Sequence, residues 1–125
     1  MIRYKPITHI DELKNLYDFT ALKDTVYGGY VGFDENENQI GKCLVVIKNF
    51  DCEILNVDCD LEDKLLVEGF IRSALNFCAN RNAYMAYCSI EEIKDVLLLL
   101  GFKNNNGVYE GEIPSLLKGC CGCQK

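Results

Sequence analysis

Apolar positions along the chain follow two rhythms, and their alternation predicts a mixed α/β fold. Leu61, Leu65, Leu66, Phe70, Ile71, Ala74, Leu75 and Cys78 recur at steps of three or four and one, the spacing of a broad helical stripe turned to a sheet. Asp60 offers this helix an N-cap, and Asn80-Arg81-Asn82 ends it. Ile10, Leu13, Leu16 and Tyr17 predict an earlier helix over residues 9–19. Thr8 stands as its N-cap, with Asp11 and Glu12 in the first turn, where the helix dipole favours carboxylates. Ile93, Val96, Leu97 and Leu100 predict a third, with Ser89 and Glu92 at capping-box spacing and Gly101 placed to stop it.

Between the helices the composition shifts to β-branched and aromatic residues bounded by polar turns, which predicts strands. They fall at residues 3–7, 25–33, 40–50, 52–57 and 83–88, followed by a hairpin over 102–113 turning at Asn104-Asn105-Asn106-Gly107. Pro114 ends the last strand, and Gly28, Gly29 and Gly32 in the second suggest a bulge or a close approach by another backbone. The order is β-α-β-β-β-α-β-α-β-β, a mixed sheet with helices on both faces over residues 1–118. Residues 119–125 form a separate Cys-rich patch.

Charge and cysteine content narrow the function. A formal net charge of -6 with scattered Lys and Arg argues against a nucleic-acid partner, which needs a basic face. No apolar run approaches the roughly 20 residues of a membrane span. The first residues lack a signal peptide's apolar core, so the expected location is the cytoplasm. In that reducing setting the eight cysteines read as core residues, metal ligands or reactive thiols rather than disulfides.

The element order, together with Asp95-Val96-Leu97-Leu98-Leu99-Leu100-Gly101-Phe102 before the hairpin, resembles the GNAT (GCN5-related N-acetyltransferase) superfamily. The resemblance implies an N-acetyltransferase that moves an acetyl group from acetyl-CoA to a small-molecule or protein amine. It implies that the edge formed by Leu55, Asn56 and Val57 pairs with the pantetheine arm. The pyrophosphate would then lie on the next helix N-terminus, at Asp63, Lys64, Leu65 and Leu66. The family's loop reads Arg or Gln, two residues, Gly, one residue, Gly or Ala; here it is Glu62-Asp63-Lys64-Leu65-Leu66-Val67, with carboxylates and branched side chains in place of the cation and glycines. The family's frequent tyrosine acid falls on Leu97. Glu53 is the candidate base for the amine proton.

Other residues carry chemistry of their own. Cys120, Cys121 and Cys123 could converge on Zn²⁺ or Cu(I), or react as thiols, against the alternative of a disordered tail. Cys43, Cys52, Cys78 and Cys88 read as core, while Cys59 sits where a helix N-terminus could lower its pKa. His9, the single histidine, reads as a surface residue, and Tyr27 and Tyr30 as lining either a cleft or the core. Two alternatives stand beside the acetyltransferase: a non-catalytic binding module with the same fold, and metal-binding or thiol chemistry in the tail.

Overall fold

A computed structural model describes residues 1–118; Cys120, Cys121 and Cys123 lie outside the described residues. The elements are β1 (Arg3–Ile7), α1 (Ile10–Leu16), β2 (Val26–Phe33), β3 (Gln39–Lys48), β4 (Asp51–Cys59), α2 (Lys64–Ala79), β5 (Met85–Cys88), α3 (Lys94–Leu100), β6 (Lys103–Asn105), β7 (Val108–Glu112) and α4 (Ile113–Lys118). The strands form one seven-stranded sheet in the order β1-β2-β3-β4-β5-β7-β6. Every pairing is antiparallel except β4 with β5, which the α2 crossover makes parallel. The predicted order of ten elements holds, with α4 added.

The sheet has two unequal faces. On one, α2 lays Leu66, Val67, Phe70, Ile71, Ala74 and Leu75 over the main core, and α3 and α4 pack beside it. On the other, α1 contributes Leu13 to a smaller cluster with Ile7, Val31 and Leu44. On this second face a side chain at Gly29 of β2 would meet the Cys43 carbonyl and Leu13. Gly28 and Gly32 belong to the first face, where a side chain at Gly28 would overlap the Phe77 ring and one at Gly32 would press on Phe70. Close approach is therefore what these positions need. Cys43, Cys52, Cys78 and Cys88 are buried there as small apolar residues, and burial pushes the Cys43 thiol up to about 12.

Local capping departs from the sequence expectation in four places. His9, not Thr8, precedes α1, without a side-chain cap, and α1 stops at Leu16 because Tyr17 turns extended. The α2 cap is Asp63 rather than Asp60; Asp60 instead closes the preceding turn onto the Glu62 amide. The Ser89 capping box does not form, since a single 3₁₀ turn (Glu91–Ile93) intervenes and Ile90 holds its cap position. Pro114 opens α4, where its missing N–H leaves no bond unmade. Gly101 ends α3 as expected, at φ 113°, and Asn106 and Gly107 turn the hairpin with φ of 55° and 92°.

Candidate functional site at the opening of the sheet

The sheet comes apart between β4 and β5. Their ladder runs from Asp51 opposite Met85 to Ile54 opposite Cys88 and stops, although β4 continues to Cys59. A bulge marks the same point. Leu44 of β3 faces Asn56 and Val45 faces Ile54, so Leu55 is an extra residue without a partner. The bulge changes the phase of β4: Ile54 and Val57 are buried under α2, while Leu55 and Asn56 both lie on the α1 face. Leu55, Asn56 and Val57 thus fall on the half of β4 that lacks a β5 neighbour.

On the α1 face a groove of about 550 Å³ runs beside this opening, lined by Leu22, Tyr27, Val46, Glu53, Leu55 and Tyr87 among others. Strand register places Val46, Glu53, Tyr87 and Glu110 in one row across β3, β4, β5 and β7. Lys48, Asp51, Met85 and Glu112 form the next row. Loss of water contact, then Asp51 and Glu110, push the Tyr87 phenol up. One wall is fixed by the chain before β2: the Leu22 amide donates to the Tyr27 hydroxyl at 3.2 Å, and the Phe19 ring lies 4.9 Å from that of Tyr27. Of the two tyrosines flanking the glycine pair, Tyr27 lines the groove and Tyr30 packs on the α2 side.

The end of α1 is tied to the open edge. The Tyr17 hydroxyl donates to Asn56 Oδ1 at 2.9 Å, and its ring lies beneath Lys42 Nζ at 4.6 Å. Lys42 also donates to the Leu16 carbonyl at 2.7 Å, capping the short helix. Burial and the nearby Cys43, Asp58 and Cys59 push the Tyr17 phenol far up, so it remains a proton-bearing donor. Sequence reasoning missed both Tyr17 and Tyr87. The alternation in β5, with Ala86 and Cys88 buried and Met85 and Tyr87 turned out, was a readable signal for Tyr87.

The turn before α2 has another character. The Glu62 amide donates to Asp60 Oδ1 at 3.1 Å, the Asp63 amide to the Asp60 carbonyl at 3.1 Å, and the Leu66 amide to Asp63 Oδ1 at 3.2 Å. Lys64 bridges to Asp95 at 3.1 Å, on the surface, and Leu65 is largely exposed. Gly69 serves packing, since a side chain there would overlap Tyr4 of β1. The helix N-terminus does not lower the Cys59 pKa; burial, then Asp58, Asp60 and Asp63, push that thiol up to about 11. Leu97, at the position of the family's acid, is fully buried. His9 is exposed. Among the described residues no group of three His, Cys, Asp or Glu is placed to hold a metal, and no helix is long and apolar enough to cross a membrane. A second hollow of about 540 Å³ beside β7 and α4 has no β4 residue in its lining.

The donor implied by the resemblance, acetyl-CoA, therefore fits this site at one end. The unpaired edge of β4 can meet a pantetheine amide. In the turn that would meet the diphosphate, the Glu62, Asp63 and Leu66 amides are taken by the chain's own oxygens, and the Asp60, Glu62 and Asp63 side chains are acidic.

No family model matches the sequence, and no curated protein matches it. Solved structures do. The ribosomal-protein-S18-alanine N-acetyltransferase of Escherichia coli aligns over 90% of this chain and 94% of its own, with a TM-score of 0.64 at 9% identity. The spermidine N-acetyltransferase of Vibrio cholerae, solved with CoA and spermine, aligns over 86% and 76%, with a TM-score of 0.60 at 18% identity. An acetyltransferase of the GNAT family from Staphylococcus aureus Mu50 aligns over 70% and 68%, with a TM-score of 0.55 at 12% identity. With its sheet opening between β4 and β5 and helices on both faces, this chain carries the GNAT N-acyltransferase fold at low sequence identity to those structures.

Proposed function

We propose that the chain is an N-acyltransferase that takes a cationic amine in the α1-face groove and an acyl thioester along the open half of β4. The observation that carries this reading is the meeting of the two at one point: the β4–β5 ladder ends at Ile54 and Cys88, one residue beyond Glu53 and Tyr87. Glu53 holds the ammonium and accepts its proton, so that the nitrogen lone pair is free to form the new amide bond as the carbon–sulfur bond breaks. Tyr87 offers its ring face to the same cation. Asn56, fixed by Tyr17, offers polar groups at the edge.

The test is amide formation, followed by mass spectrometry, from millimolar acetyl-CoA and separately from S-acetylpantetheine, with a panel of primary amines. Product is expected with at least one donor, and Glu53→Gln should lower its rate by tenfold or more. Absence of product from both donors overturns the catalytic reading. The occupied amides before α2 favour one second reading, a non-catalytic module that binds an amine-bearing ligand in the same groove. Saturable amine binding without product would select it.

A further inference from the structure

The turn before α2 separates the two ends of the expected donor. Asp60, Glu62 and Asp63 place three carboxylates within four residues where the fold would seat a diphosphate, and Asp58 just before them pairs with Lys42 at 3.9 Å. Two of them act as acceptors for the local amides: Asp60 takes the Glu62 amide and Asp63 takes the Leu66 amide. Asp60 also receives the Asp63 amide on its backbone carbonyl. A phosphate oxygen could reach the Glu62 or Leu66 amide only by expelling a carboxylate, which would then remain beside a second anion. Lys64, the cation that opens α2, is engaged by Asp95. Branched side chains at Leu65 and Leu66, on a helix packed through Tyr4 to β1, leave the backbone no glycine through which to approach the phosphates.

The other end of the donor meets no such obstacle. Leu55 is unpaired in the β3 ladder, and residues 55–59 have no β5 partner, so amide and carbonyl groups of this edge are available to a short amide-bearing chain. Along this edge Val57 is buried and apolar, the Asn56 carboxamide is bonded to Tyr17, and the one carboxylate, Asp58, is paired with Lys42 at 3.9 Å.

We infer that the acyl donor is a thioester of a pantetheine-type thiol that carries no nucleotide diphosphate. This rests on the N-acyltransferase reading above and specifies its donor. The bond changes are those of any thioester aminolysis: the amine nitrogen joins the acyl carbon, the carbon–sulfur bond breaks, and the proton released from nitrogen ends on the leaving thiol.

The experiment is a comparison of binding by calorimetry, on the full chain in about 50 mM salt, where surface charges act over roughly 14 Å. Acetyl-CoA and S-acetylpantetheine are titrated in parallel. S-acetylpantetheine is expected to bind at least as tightly as acetyl-CoA, and the affinity of acetyl-CoA should rise as salt screens the carboxylates. In the double variant Asp60→Asn, Glu62→Gln, acetyl-CoA should gain about tenfold while S-acetylpantetheine stays within about twofold, as removal of two like charges predicts. Tighter binding of acetyl-CoA than of S-acetylpantetheine to the unmodified chain overturns the donor inference and leaves the N-acyltransferase reading intact. Binding of neither thioester overturns both. The comparison in the unmodified chain decides the matter even where the double variant fails to fold.

Discussion

Glu53 and Tyr87 face each other across β4 and β5 on the side of the sheet that α1 leaves open, and single residues of this kind carry the chemistry of the site. Cys59 gives a direct test of its electrostatics. It is half-buried, and with a pKa near 11 it is almost wholly protonated at neutral pH. The thiolate is the reactive form, so alkylation by iodoacetamide should be slower than for a free cysteine and should rise about tenfold per pH unit from pH 7 to 10. Peptide mapping by mass spectrometry reads this; a rate already at its plateau by pH 8 would contradict the acidic surroundings. The positions of Glu53 and Cys59 on β4 were legible because they follow from element order. The sign of the Cys59 shift was not, because three neighbouring carboxylates and burial outweigh the helix terminus, and only the folded turn shows how close they lie. Tyr17 was hidden for a similar reason: its partner Asn56 is far along the chain, brought near by β2 and β3.

Helix ends are where element-scale physics departs most from pattern. The α2 stripe was plain in the sequence, but both Asp60 and Asp63 could begin it, and periodicity cannot choose between caps on the same side of one turn. The structure assigns the cap to Asp63 and the turn to Asp60. Asp63→Ala should therefore cost about 1 kcal/mol, and Asp63→Asn should retain most of that stability, as urea denaturation would show. Equal losses for the two would mean that charge rather than the cap bond matters. Gly101 was read correctly because a positive φ after a leucine-rich helix leaves a glycine signature. With φ at 113°, Gly101→Ala should cost roughly 1–2 kcal/mol by the same measurement. The box of Ser89 and Glu92 failed because the chain begins a 3₁₀ turn one residue later, with Ile90 at its cap, while the neighbouring Glu91 accepts from the buried Tyr109 hydroxyl at 3.0 Å and pairs with Lys94 at 3.2 Å.

At the scale of the whole molecule, strand order was recoverable from the alternation of periodicities and the open edge at Leu55 to Val57 from the family resemblance, whereas the bulge beside it was not. The bulge at Leu55 depends on how β3 and β4 pair, and a run such as Glu53-Ile54-Leu55-Asn56-Val57 reads equally well as a regular strand. That one-residue slip puts Leu55 and Asn56 on the same face and places the acidic rows beside the opening. Glu53 and Asp51 on β4 and Glu110 and Glu112 on β7 then flank Met85 and Tyr87, with Lys48 at the rim. On a chain of net charge -6 this face should concentrate cations through the summed field as well as through contact. A primary ammonium carried on an apolar or aromatic body should raise the melting temperature, because a ligand of the native state alone stabilises it. Its N-acetylated, neutral counterpart lacks the charge that Glu53 would hold and should produce little shift. In 1 M salt, where screening acts over about 3 Å, most of the difference between the two should vanish. Equal shifts for the ammonium and its neutral amide would show that the groove selects for the apolar body alone, and the carboxylate rows would then have no part in recognition.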